Sequence, residues 1–147
     1  MSKKCKLIYK WTLVIIWMAL IFYLSSQNGE TSGNLSSTIL GYLINLNLLP
    51  ANVVSILSLL IRKAAHMSEY AILAILLFNI LNEYDYNSKI KFLSALLFSF
   101  VYACGDEFHQ TFVNGRAGQI TDVLIDSLGA FFGLLLCTWL YRWNSKK

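Results

Sequence analysis

Residues 122–141 read DVLIDSLGAFFGLLLCTWLY, a polar start followed by a long apolar run. The uninterrupted apolar part, residues 127–141, has 15 residues, whereas a helix that crosses a bilayer needs about 20. The missing turn has to come from the polar start, which brings Asp126 into the outer part of the bilayer. Lipid does not solvate a carboxylate, so we expect Asp126 to face other polar groups. Gly129 and Gly133 have the spacing of a close helix–helix contact.

Three further apolar stretches precede this one. The chain has 147 residues, of which 56% are hydrophobic and 14% charged, a composition that excludes an ordinary soluble protein. We therefore predict an all-α, multi-pass membrane helical bundle that forms a single domain over residues 1–147. The expected spans cover about residues 9–25, 64–81, 90–108 and 122–141. We expect the first span to be retained, because no clear signal-peptide cleavage site follows it.

The region between the first two spans is also apolar, but its pattern differs. Residues 35–49 have the spacing of an amphipathic helix that Pro50 ends. Residues 51–81 then have the pattern of a long helical stretch, which Arg62, Lys63 and His66 interrupt in polarity. We expect the part before Arg62 to be a further interfacial or packed helix. The sequence leaves open whether the whole region lies in the interface, re-enters the membrane or packs on the bundle.

The distribution of cations predicts the orientation. Four spans place nine lysine and arginine residues on one side and three on the other. The larger group comprises Lys3, Lys4, Lys6, Lys10, Lys89, Lys91, Arg142, Lys146 and Lys147; the smaller comprises Arg62, Lys63 and Arg116. By the positive-inside rule, both termini are expected to be cytoplasmic. The net charge of +4 therefore reflects topology, and we expect no nucleic-acid partner.

Polar side chains occur at the same end of every expected span. Offsets of three and four residues place side chains on one face of a helix. The faces consist of Arg62, His66 and Glu69 in the second span, Asp106, His109 and Gln110 in the third, and Asp122 and Asp126 in the fourth. Ser25, Ser26 and Gln27 end the first span at the same level. A charge within the bilayer costs about 2.5–3.5 kcal/mol on insertion scales, so such a cluster indicates a functional site. We expect one polar pocket towards the extracytoplasmic face of the cell membrane.

The chain resembles the VanZ-like membrane proteins over about residues 10–140. The resemblance lies in the motifs RKAAHMSEY at 62–70, DEFHQ at 106–110, GR at 115–116 and DVLIDSLG at 122–129, and FYLSSQ at 22–27 is similar to the end of that family's first span. The namesake of the family is linked to low-level resistance to the glycopeptide antibiotic teicoplanin. The resemblance therefore implies a role at the cell envelope and names a phenotype, without naming a reaction.

An enzyme is one interpretation of the pocket. A histidine would act as general acid or base, a carboxylate would orient its ring, and a guanidinium would hold an anionic group. The expected catalytic residues are His66, Glu69, Asp106, His109 and Asp126; the expected substrate-binding residues are Arg62, Arg116, Glu107, Gln110, Asp122 and Ser26. Such a pocket suits a lipid-linked phosphate or diphosphate, such as an undecaprenyl-type cell-wall precursor, and hydrolysis or group transfer.

Three other interpretations remain open. One is a zinc or manganese site, because the two histidines and the carboxylates of Glu69, Asp106 and Glu107 are suitable ligands for these metals. Their spacing matches no strong metal signature. The sequence therefore assigns no metal ligands and leaves the cofactor unknown. The same pocket would suit a membrane-lipid head group or a glycopeptide that is bound without any bond being broken. Finally, the charged cluster would also serve as a polar packing core.

Overall fold

The computed structural model describes residues 2–27 and 50–144, and these form four α-helices without strands. The helices are α1 (Lys3–Ser25), α2 (Ala51–Leu81), α3 (Ser88–Gln110) and α4 (Ile120–Asn144). Each contains a segment long and apolar enough to cross a membrane. The expected all-α multi-pass bundle is thereby confirmed. The amphipathic helix expected at 35–49 lies outside the described residues.

Helix α2 has the bounds of the long helical stretch predicted over residues 51–81, but not the division expected within it. Residues 51–61 do not form a separate helix; they are the first turns of one 31-residue helix that continues through Arg62 and Lys63. Polarity alone does not end a helix, because the backbone hydrogen bonds continue regardless of side-chain charge. Between Ala51 and Leu81 there is no proline to remove a donor and no glycine to loosen the chain.

Helices α2 and α4 approach each other most closely, and two glycines make this possible. Gly129 and Gly133 of α4 are buried against Met67 and Ala71 of α2. A Cβ atom on Gly133 would lie 2.9 Å from the Ala71 Cα atom. Since ordinary carbon contacts lie near 3.5–4.0 Å, only glycine allows this backbone-to-backbone packing, as the Gly-x-x-x-Gly spacing predicts.

The core of the bundle is apolar, and so is most of its outer surface. Tyr70 and Leu73 are fully buried, whereas Ile15, Leu97 and Phe132 are 63%, 63% and 56% exposed. Lipid is as apolar as these side chains, so this outer surface suits a bilayer. This apolar surface supports the assignment of the chain as a membrane protein.

Hydrogen bonds attach α1 to the other helices. The Trp17 indole Nε1 donates to the Glu69 carbonyl oxygen at 2.9 Å. The Tyr102 hydroxyl donates to the Met18 carbonyl oxygen at 2.7 Å. Both bonds cross between helices in a mostly apolar environment, where an unpaired donor would be costly. They fix the position of α1 beside α2 and α3.

One end of the bundle, where α2 ends and α3 begins, is rich in lysines and is called here the basic end. Glu83, just after α2, accepts from Lys10 at 2.5 Å and pairs with Lys6 at 3.0 Å. Lys10 also donates to the Asn79 carbonyl oxygen at 2.8 Å. The hydrogen bonds from Lys10 and then Lys6 lower the pKa of Glu83 below its ordinary value. The opposite end, which carries Arg62 and Arg116, is called here the polar end.

Candidate functional site

A cavity of about 260 Å³ opens at the polar end, between α2, the end of α3 and the start of α4. Six of the residues expected from the sequence line it: Arg62, His66, Gln110, Arg116, Asp122 and Asp126. The apolar lining is small and includes Ala117 and Ile125. The cavity therefore brings together polar groups from three helices and the connection between α3 and α4.

That connection, residues 111–119, is held in place by contacts that bring Arg116 to the cavity. Gly115 has a φ of 75°, a left-handed conformation that favours glycine, and the Arg116 backbone N–H donates to the Val113 carbonyl oxygen at 3.1 Å. The buried carboxylate of Glu107 accepts from the Gln119 backbone N–H at 2.9 Å. Gly118 packs against α3, since a Cβ atom there would meet the backbone carbonyl oxygen of Glu107. Glu107 therefore positions the connection and does not line the cavity.

The cations around the cavity differ in their partners. Lys63 forms a salt bridge with Asp122 at 2.6 Å. Neither Arg62 nor Arg116 forms a salt bridge with any residue that the structure describes. Burial lowers the pKa of Arg116, and the nearby charge of Arg62 lowers it further, while the carboxylate of Asp106 acts in the opposite direction. Two guanidinium groups that repel each other across one cavity favour an anion between them.

Buried carboxylates lie beneath the cations. Asp126 is 1% exposed, and neither of its carboxylate oxygens has a hydrogen-bond partner among the described residues. Asp106 is 4% exposed; its Oδ2 atom accepts from Gln110 Nε2 at 3.2 Å, and the Ser25 hydroxyl lies beside the same carboxylate. A buried polar atom without a partner costs about 1–3 kcal/mol. A purely structural polar core would pair these atoms, so the arrangement favours a site that interacts with something further.

The two histidines have different surroundings. His66 lines the cavity, and its Nδ1 atom lies 3.8 Å from Glu69 Oε2, which is too far for a hydrogen bond but close enough for charge attraction. The ring of His109 instead contacts Phe22 of α1, with the ring centroids 4.4 Å apart. His109 does not line the cavity. Of the two, His66 is placed for acid–base chemistry there.

The metal interpretation gains no support from these positions. Within residues 2–27 and 50–144, no group of three or more histidine, cysteine, aspartate or glutamate side chains is arranged to hold a metal ion. His66 and His109 belong to different environments, as described above.

Of the two serines that end α1, Ser25 and not the predicted Ser26 lies next to the buried carboxylates. The Ser26 hydroxyl donates to the Phe22 carbonyl oxygen of its own helix at 2.6 Å, whereas Ser25 is 1% exposed and lies beside the Asp106 carboxylate.

Tyr70 is a further buried polar residue that was not predicted to belong to the site. Its hydroxyl has no partner in the described residues. Its position four residues after His66, on the same helix face, is the signal that identifies it.

A family model described as VanZ/LLP1 matches residues 10–141, most of the chain, and confirms the resemblance. No curated protein and no solved structure gives a significant match. The matched region contains every residue that lines the cavity.

Proposed function

The chain belongs to the VanZ/LLP1 family, and from that premise we propose that its cavity binds the phosphate-bearing head group of a cell-envelope lipid intermediate. The observation that carries the proposal is the pair of guanidinium groups, Arg62 and Arg116, at one cavity without a salt bridge in the described chain. Arginine is well suited to phosphate because its planar group donates two parallel hydrogen bonds.

The size of the cavity fits a head group and not a whole lipid. Its volume of about 260 Å³ is below the roughly 300–1,000 Å³ typical of sites for drug-sized molecules. The apolar part of the ligand would remain in the bilayer, against the exposed apolar surface of the helices. A lipid-linked phosphate or diphosphate has this division between a compact anion and a long apolar chain.

We place the cavity on the extracytoplasmic side. The support is the excess of lysine and arginine at the basic end, which the positive-inside rule assigns to the cytoplasm. A head group bound there would be a cell-wall precursor or a related carrier at the outer leaflet. Binding such a precursor would reduce the access of a glycopeptide antibiotic to its target, which connects the site with teicoplanin resistance.

Catalysis is a second candidate, and the position of His66 favours it. His66 lines the same cavity as the two arginines, with Glu69 at 3.8 Å and Asp126 also in the lining. An imidazole near a bound phosphate would act as general acid or base in hydrolysis or group transfer. The cavity residues are therefore consistent with a phosphoryl-transfer site of which the arginines are the binding part.

Binding of a polyprenyl phosphate to the purified protein in nanodiscs tests the proposal. A charge-assisted hydrogen bond is worth about 1.5–3 kcal/mol, so Arg62→Gln and Arg116→Gln should each weaken binding roughly 10- to 150-fold. The charge-matched control, Lys4→Gln at the basic end, should bind like the wild type. Unchanged affinity in both arginine variants would refute the proposal.

A second measurement separates binding from catalysis. The His66→Gln variant should retain the affinity for polyprenyl phosphate, because an amide of similar size leaves both arginines in place. If release of inorganic phosphate from a polyprenyl diphosphate occurs with the wild type and stops in His66→Gln, the site is catalytic. If the wild type releases none while binding the lipid, it is a binding site.

A further inference from the structure

A second cavity, here called the groove, lies at the basic end of the bundle, far from the cavity described above. It occupies about 410 Å³ between the end of α2, the start of α3 and the end of α4. Its apolar lining includes Phe78, Phe92, Leu93 and Leu135. Lys89 and Arg142 contribute the charged part of the lining, and no aspartate or glutamate contributes to it.

The two cations come from different helices and meet at one level. Lys89 is in the first turn of α3 and Arg142 in the last turns of α4, and both are exposed. Two acids lie in the connection from α2 to α3: Glu83, which is paired with Lys6 and Lys10, and Asp85, which does not line the groove. The charged side chains that line the groove are therefore both positive.

The apolar part of the groove leads away from these charges into the lipid-facing surface. Phe78 is 4% exposed and belongs to the packed core. The ring of Phe92 is held edge-on against Phe131 with a centroid distance of 5.9 Å, which makes it a rigid wall. Leu93 and Leu135 are 62% and 44% exposed, so their side of the groove is open to the surroundings. A ligand that fits has an anionic end and an apolar chain.

We infer that this groove binds an anionic phospholipid, with its phosphate between Lys89 and Arg142 and one acyl chain along Phe92, Leu93 and Leu135. Charge complementarity selects the anionic head group, and the open apolar wall selects a lipid over a soluble anion. Basic pockets between membrane helices on the cytoplasmic side are known to bind such head groups. The excess of lysine and arginine places this end in that leaflet. The inference is independent of the function proposed for the polar end.

Native mass spectrometry of the detergent-purified protein tests the inference, with phosphatidylglycerol and phosphatidylcholine as probes. The wild type should retain phosphatidylglycerol at least tenfold better than phosphatidylcholine. The double variant Lys89→Gln/Arg142→Gln should lose this preference. Lys91→Gln is the matched control, because it removes the same charge from the same helix and Lys91 does not line the groove. A double variant that keeps the preference would overturn the inference.

A second variant tests the apolar part without changing any charge. Leu135→Trp fills the groove and should also abolish the retention of phosphatidylglycerol. Retention equal to that of the wild type would show that the lipid does not lie in the groove. Competition by glycerol 3-phosphate as effective as that by phosphatidylglycerol would show a site for a soluble anion and would equally overturn the inference. Arg62→Gln/Arg116→Gln should leave this lipid bound, which separates the two ends.

Discussion

Replacing Gly129 by alanine should separate α2 from α4 and destabilise the protein. The added Cβ atom would lie 2.7 Å from the Met67 Cα atom and 2.8 Å from the Met67 carbonyl carbon. Since carbon atoms prefer separations of at least 3.5 Å, the helices would have to part by about 0.8 Å. The atoms in the way belong to the backbone, so no side chain can rotate to make room.

The free-energy change follows from two opposing effects. Overpacking of a close contact costs about 1–3 kcal/mol, while replacing a helical glycine by alanine gains roughly 0.5–1 kcal/mol. The expected net loss of unfolding free energy is therefore about 0–2.5 kcal/mol. Titration with SDS in mixed micelles, followed by circular dichroism, measures this free energy.

Gly105 provides the matched control. It is also helical, but a Cβ atom on it would meet nothing within 4 Å. Gly105→Ala should therefore stabilise the protein by roughly 0.5–1 kcal/mol, as expected for a helical glycine that packs against nothing. The two variants should differ by about 1–3 kcal/mol, the cost of overpacking alone. If Gly129→Ala were as stable as Gly105→Ala, the reasoning about the α2–α4 contact would be refuted.

Three further outcomes are expected. The pKa of Glu83 is held below its ordinary value of 4.5 by Lys10 and Lys6. Its ion pairs should therefore stabilise the protein above pH 4.5, and this stability should be lost as the pH falls through the lowered pKa of the folded state. A Glu83→Gln variant measured over the same pH range should lack this dependence. Trp17→Phe should lower the unfolding free energy by about 1 kcal/mol, because the indole N–H that donates to the Glu69 carbonyl oxygen is removed, and an unchanged value would contradict the role of that bond. A double-mutant cycle with Lys63→Gln and Asp122→Asn should give a coupling of about 0.2–1 kcal/mol, since both side chains are about one-third exposed; no coupling would mean that the pair contributes nothing to stability.

The fold was largely predictable because membrane helices follow from apolar length. The run at 122–141 and the spacing of Gly129 and Gly133 indicated both a span and its closest packing. The helical stretch over residues 51–81 was predicted with its observed bounds, and only the separate helix expected before Arg62 was wrong, because a change in polarity does not end a helix. Helix ends depend on backbone breakers and caps, and none lies at that point.

The site was less predictable. Helical spacing shows which side chains share a face of one helix, but it does not show which face of another helix they contact. Ser25 and Ser26 are adjacent, yet about 100° apart around the helix, and only the packing of α1 decides that Ser25 lies next to Asp106. His109 shares the polar end with His66, but its ring faces Phe22 of another helix. The rotation of each helix about its axis is set by tertiary contacts that a single sequence does not contain.

The length of α2 makes the protein sensitive to membrane thickness. At 1.5 Å per residue its 31 residues extend about 46 Å, against a hydrocarbon layer of about 30 Å. The distance from Arg62 to Leu81 alone is about 28 Å, so a bilayer that covers this part of α2 would place the charges of the cavity at the hydrocarbon boundary and residues 51–61 beyond it. Ile56 and Leu60, 59% and 55% exposed, give that extension an apolar surface that a thicker bilayer would cover. Reconstitution in lipids of increasing chain length should therefore draw the cavity deeper below the head groups and weaken its access to anions from the aqueous side.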